Sequence, residues 1–192
     1  SLGIRHGFGL FLTPMSTEFG WGREVFAFAM ALQNLVWGLT QPFTGALADR
    51  FGAKSTVIVG GVLYTIGLIL MGYADSSLSL SLSAGVLIGI GLSGTSFSVI
   101  LGVVGRAVPP EQRSMAMGIA AAAGSFGQFA MLPGSLGLIQ WLGWSAALIA
   151  LGMMVALIIP LATMIKDTPP VAQGPQQTML EALREACGNA DF

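Results

Sequence analysis

Charged positions divide this chain into long uncharged intervals. Residues 25–48 carry no charged side chain, and neither do residues 55–74, 76–105 or 114–165. A helix rises 1.5 Å per residue, so about 20 apolar residues cross a hydrocarbon core of about 30 Å. The first three intervals therefore predict membrane-spanning helices at 24–48, 55–73 and 80–104. The fourth is 52 residues long, too long for one span and right for two. It breaks near Leu138-Ile-Gln140-Trp-Leu-Gly143-Trp144, where tryptophans beside a glycine suit an interfacial turn. This predicts helices at 114–138 and 144–164. A sixth, shorter run precedes them all: Leu2 to Met15 is 14 residues, about 21 Å of helix. Either the natural chain starts further upstream or this helix does not cross. Ser1 in place of an initiator methionine favours the first reading, and nothing before Arg5 resembles a signal-peptide cleavage site.

Composition agrees with the pattern. Hydrophobic residues make up 54% of 192 and charged ones 9%, and the mean hydropathy is +0.77. The expected fold class is an all-α membrane protein with six transmembrane helices. The 27 glycines lie mostly inside apolar runs, where small residues let helix backbones approach closely. One cysteine excludes an intramolecular disulfide framework, and a net charge of -1 gives no basis for nucleic-acid binding. With one histidine and no glycine-rich phosphate loop followed by lysine, no hydrolase, redox or metal constellation is present. Neither enzyme activity nor a cofactor is expected.

The polar links orient the helices. If six helices alternate, Arg50, Lys54, Arg106, Arg113, Lys166 and Arg184 share one side and Arg23 alone takes the other. The positive-inside rule makes the six-residue side cytoplasmic. Residues 1–166 then form one transmembrane domain. After Lys166 the run Asp167-Thr-Pro169-Pro170-Val-Ala-Gln-Gly174-Pro175 is a turn-rich linker, and Thr178 to Ala186 resumes helical periodicity. The segment 167–192 is thus a cytoplasmic linker with a short amphipathic helix. It is a surface helix on the leaflet, a soluble linker helix or the run-in to a further span.

Inside the apolar intervals a few polar residues carry candidate chemistry. Arg5 lies about 10 residues, or 15 Å, before Met15, hence near the bilayer midplane. A guanidinium there needs a polar cavity, and its rigid donor fork suits a carboxylate. If the chain truly begins at Ser1, the same side chain snorkels to the surface instead. Histidine exchanges protons near neutral pH, so His6 is either a proton-coupling group or a hydrogen-bonded packing residue. Gln33, Trp37, Gln41 and Thr44 follow helical spacing on one face, with Asn34 beside them. They line a watery path or hydrogen-bond between helices. Pro42 is expected to loosen that helix. Ser93, Thr95 and Ser96 turn to a cavity or to backbone carbonyls, and Gln128 completes the candidate substrate-binding set.

The link Gly45-Ala-Leu-Ala-Asp49-Arg50-Phe51-Gly52-Ala53-Lys54 resembles the signature loop between helices 2 and 3 of the major facilitator superfamily, roughly G-x-x-x-D-(R/K)-x-G-(R/K)-(R/K). Gly45, Asp49, Arg50, Gly52 and Lys54 match, and Ala53 stands where a basic residue is usual. Gly89 and Gly91 fit the R-x-x-x-G-x-G motif of proton-driven members, with Gly85 in the arginine's place. Gly124 to Gly134 partly resembles the G-P-x-x-G-G pattern of antiporters. Pro109-Pro110-Glu111-Gln112-Arg113 is similar to the family's turn between helices 4 and 5. Phe19-Gly20-Trp21-Gly22-Arg23 resembles the F-G-W-(S/G)-R segment of oxalate/formate antiporter-like and monocarboxylate-transporter-like members.

The resemblance implies the amino-terminal six-helix half of a secondary transporter, integral to the plasma or inner membrane. It implies a small organic anion as substrate, moved by alternating access with proton coupling or anion exchange. Asp49, Arg50, Lys54, Arg106 and Arg113 then belong to the gate and to the interface with a second six-helix half. Membrane lipids are the other expected partner. Two alternatives stay open: proton-driven efflux of a drug or metabolite, and a six-helix assembly or scaffold protein.

Overall fold

The computed structural model describes residues 2–164, apart from the side chains of Leu2 and Arg106. The expected linker at 167–192, with Lys166 and Arg184, lies outside the described residues. The elements in order are α1 (Leu2–His6), α2 (Gly9–Phe19), α3 (Arg23–Phe51), α4 (Ala53–Gly72), α5 (Ser77–Leu80), a π-helical stretch over Ser81–Leu87, α6 (Ile88–Gly94), α7 (Phe97–Ala107), α8 (Pro110–Ala156) and α9 (Ile158–Thr163). The fold is all-α and of multi-pass membrane type. Among the described residues three helical runs are long and apolar enough to cross a bilayer: Ala53–Gly72, Ser77–Gly105 and Pro110–Thr163. At 29 residues α3 is also long, but it is more polar.

Two glycines set the sharpest turns. The expected polar loop at 45–54 is almost entirely helical: α3 continues through Asp49 and Arg50 to Phe51, and α4 starts at Ala53. Gly52 alone makes the turn, at φ 90°, a backbone region that a Cβ disfavours. Its carbonyl accepts from the Thr56 N–H at 3.4 Å and the Thr56 hydroxyl at 3.2 Å, which fixes the first turn of α4.

Gly143, at φ 80° and ψ 167°, is the non-helical residue inside α8. Before it the chain climbs beside α1, with Gly127 against Gly3 and Ser135 against Gly7. Beyond it the chain descends beside α4: the Ser145 hydroxyl donates to the Gly72 carbonyl at 2.6 Å, Gly152 meets Thr65 and Leu68, and Ile158 meets Gly61. The reversal falls within the break that the sequence predicts.

Two expected helices are discontinuous. Over Leu2–Phe19, the N–H groups of Gly7 and Phe8 reach back only to Ile4 and Arg5, at 3.0 and 3.1 Å, so the chain tightens between α1 and α2. The helix expected at 80–104 begins earlier, with a Ser76–Ser79 capping box, then passes through the π-helical stretch. It breaks at Thr95 and at the extended Ser96, ψ 160°. Pro42, by contrast, stays inside α3.

Glycine makes the central packing close. A Cβ on Gly91 would lie 2.6 Å from the backbone nitrogen of Tyr64, and one on Gly94 would lie 2.9 Å from the Gly60 Cα. Only hydrogen at these positions lets α6 rest on α4. Around that contact the main core gathers Phe8, Phe11, Met15, Tyr64, Leu68, Met71, Ile88, Leu148 and Leu151. A smaller cluster of Ala48, Ala53, Val57, Val99 and Ala162 closes the end that carries the Gly52 turn.

Candidate functional site

Arg5 occupies the last turn of α1, where the tightened backbone at Gly7 and Phe8 ends the helix. Its guanidinium donates to the Asn34 side-chain oxygen and lies 4.9 Å from the centroid of the Trp37 ring. The Asn34 amide is oriented for this, because its nitrogen donates to the Met30 carbonyl at 2.9 Å and leaves the oxygen toward Arg5. Trp37 is the middle residue of the 29-residue α3, so the cluster sits at mid-height of that helix. Both partners are neutral. Neither the amide nor the π face supplies a counter-charge, so the cluster presents a positive group suited to an anion.

The cluster is open on one side. Arg5 is half-buried, whereas His6 and Asn34 are exposed. Among the described residues, the Trp37 indole N–H and the Ser135 hydroxyl are buried without a hydrogen-bond partner. The indole donor adjoins Arg5, and Ser135 packs against Gly7 on the opposite side of α1.

The remaining predicted residues divide by height and by face. The Gln33 side chain is buried and donates to the Ala84 carbonyl at 2.7 Å, tying α3 to the π-helical stretch rather than facing Arg5. Gln41 is half-buried one turn beyond Trp37, and its carbonyl accepts from the Thr44 hydroxyl at 3.0 Å. Ser96 is buried and hydrogen-bonded to the Ser98 hydroxyl at 2.9 Å, while Ser93 donates to Thr44 at 2.8 Å. Thr44 is seven residues beyond Trp37, about 10 Å lower on α3, so this serine–threonine group forms a separate level. Gln128 is half-buried on α8, next to the Gly127 carbonyl that faces Gly3.

The candidate gate residues gather at the other end. Asp49 and Arg50 are exposed on the last turn of α3, and the Arg50 guanidinium lies 5.4 Å from the Phe51 ring centroid. Lys54 is half-buried at the start of α4. Arg113 is exposed on the first turns of α8, where its side chain runs past Gly105. The Arg106 side chain lies outside the described residues.

The sequence pattern missed Asn34 as the direct partner of Arg5, and it missed Ser135. Its one available signal for Asn34 was a short amide immediately beside the polar stripe. Gly85, in the position where proton-driven members carry arginine, packs against Leu32, with 2.8 Å from an added Cβ to the Leu32 Cδ2.

Two grooves lie at the Trp21–Trp144 end of the bundle, away from Arg5. One of about 640 Å3 separates α3 from α5 and the π-helical stretch, between Phe28, Leu32, Leu78 and Leu82. The other, about 280 Å3, opens between α2 and the start of α3.

Comparison with known proteins places this geometry. Residues 2–190 match the family model described as Major Facilitator Superfamily. The chain is 30% identical over 187 residues to monocarboxylate transporter 11 of Mus musculus, covering 95% of this chain and 41% of that protein. It is 27% identical over 190 residues to monocarboxylate transporter 13 of Bos taurus, covering 95% and 43%. It is 28% identical over 189 residues to monocarboxylate transporter 12 of Rattus norvegicus, covering 94% and 37%. The chain thus spans about two fifths of the length of these relatives.

Proposed function

Because the chain belongs to the major facilitator superfamily, we propose that it is the six-helix amino-terminal half of a secondary transporter for small organic anions, mono- or dicarboxylates. The observation that carries this reading is the Arg5 guanidinium, held at mid-height of α3 by the neutral Asn34 amide and the Trp37 ring. A half-buried cation at mid-height with no counter-charge among the described residues is costly, and a substrate carboxylate would supply that partner in a bidentate fork. The relatives' name, monocarboxylate transporter, supports the same substrate class.

In this reading Trp37, Gln41 and Gln128 surround the anion from α3 and α8, and His6 relays the coupled proton. Gln33 and Ser96 stand one layer out, fixing α3 and the broken α6–α7 helix that support the site. In this reading Leu2–Phe19, α3, α4, Ser77–Ala107 and the two arms of α8 around Gly143 serve as the six spans, with Arg50, Lys54 and Arg113 toward the Gly52 end. That end is cytoplasmic by the positive-inside rule, in the plasma or inner membrane. Asp49, Arg50, Lys54, Arg106 and Arg113 gate it against a second six-helix half, which rocks about the midplane site.

Uptake into proteoliposomes of acetate, pyruvate, lactate and oxalate, compared with pyruvamide and a tetraalkylammonium cation, tests the assignment. Saturable uptake confined to the acids is expected. Preference for the neutral or cationic compounds would replace it with efflux.

A further inference from the structure

The smaller groove at the Trp21–Trp144 end lies apart from the Arg5 cluster. Leu12, Thr13, Ser16, Thr17, Trp21 and Arg23 line its roughly 280 Å3, a volume near the small end of ligand pockets. A guanidinium, hydroxyls and an aromatic wall are the groups that bind a small carboxylate. The Thr17 hydroxyl is committed to the Thr13 carbonyl at 2.8 Å, and the Thr13 and Ser16 hydroxyls and the Arg23 fork line the groove beside it. Of the neighbouring carboxylates, Glu18 accepts from the Trp144 indole, whereas the Glu24 carboxylate folds back against Gly22 at the rim of this groove and also borders the larger one. Among the described residues Arg23 is paired with no carboxylate.

The groove lies on the side of α2 that meets α3, the same neighbour that Arg5 meets lower down. Ser16 is eleven residues past Arg5, about 17 Å along α1 and α2. An anion leaving the groove inward therefore follows one helix interface toward the second guanidinium.

We propose that this groove is a capture site for small carboxylates, in which Arg23 and Ser16 hold the anion before it reaches Arg5. The proposal rests on the reading of Arg5 as the carboxylate contact. A capture site acts on arrival from its own side of the membrane and not on the chemistry at mid-height, so its effect is directional.

The test uses the protein with its whole natural sequence, reconstituted in liposomes, with pyruvate presented from each side at low and high salt. Arg23→Gln should raise the KM from the Arg23 side by about threefold to tenfold, leave kcat unchanged and remove most of the salt dependence of that KM. Arg23→Lys should restore most of the loss, and KM from the opposite side should not move. Ser16→Ala should reproduce part of the effect. An unchanged KM on the Arg23 side overturns the capture site, as does an equal rise on both sides, which would report a general defect. Arg5→Gln in parallel separates the two ideas: if it weakens pyruvate while Arg23→Gln does nothing, only the capture site fails. If wild-type protein takes up no carboxylate, both fail.

Discussion

The Arg5 guanidinium carbon lies 4.9 Å from the centroid of the Trp37 ring, so the cation of one helix is seated on the middle residue of another. A cation–π contact of this kind is worth about 0.5–2 kcal/mol, and it holds the guanidinium in place before any anion arrives. The same indole has a buried N–H without a partner among the described residues. Trp37→Phe keeps a ring and removes the donor, and affinity for pyruvate should fall about tenfold or more, the worth of one hydrogen bond to a charged group of about 1.5–3 kcal/mol. Trp37→Leu removes both features and should cost more. Titration calorimetry on the purified variants measures both, and wild-type affinity in Trp37→Phe would take the indole N–H out of the site.

The glycine contacts predict a matched pair of stability changes. A Cβ on Gly60 would lie 2.8 Å from the backbone of Gly94, which cannot yield, whereas a Cβ on Gly38 meets nothing within 4 Å. Gly60→Ala should destabilise the detergent-solubilised protein by about 1–3 kcal/mol, the usual cost of overpacking. Gly38→Ala, on the helical surface, should be neutral or stabilising by about 0.5–1 kcal/mol. Thermal unfolding of the two variants side by side decides it, and equal midpoints would remove the close α4–α6 contact from the account.

How much of this was legible in the sequence depends on the kind of signal. Lipid excludes charge, so uncharged intervals located the long apolar helices, and the glycine turns at Gly52 and Gly143 fell where polar or tryptophan-flanked breaks interrupt them. The π-helical stretch at Ser81–Leu87 and the break at Thr95–Ser96 were not legible. Serine hydroxyls there bond to backbone carbonyls in several geometries, and hydropathy does not distinguish them. Periodicity placed Gln33 and Trp37 on one stripe, but it could not say which neighbour covers each residue. Gln33 meets Ala84 on one side, and Trp37 meets Arg5 on another. Asn34, one residue off the stripe, is the one that reaches the guanidinium.

At the opposite end, Asp49 is exposed on the last turn of α3, well below the Arg5 level. A carboxylate at that position is suited to accept hydrogen bonds from arginine or helix amino-termini in the proposed gating at this end. Asp49→Asn keeps the shape and removes the charge. Turnover should fall while substrate affinity stays within about twofold of wild type, because the change acts on the equilibrium between conformations rather than on the binding contacts. An unchanged transport rate, or affinity lost outright, would contradict the gating role.

The central claim, that Arg5 contacts the substrate carboxylate, is met most directly by equilibrium binding to purified wild type, Arg5→Lys and Arg5→Gln. Lysine keeps the charge without the bidentate fork, and glutamine removes the charge. Measured against pyruvate, oxalate and uncharged pyruvamide, both variants should bind the acids more weakly. The loss should be about tenfold or more for glutamine, as expected for a charge-assisted pair of about 1.5–3 kcal/mol, with pyruvamide unaffected and both variants folded and monodisperse. Equal affinity of wild type and Arg5→Gln for every acid would contradict the account.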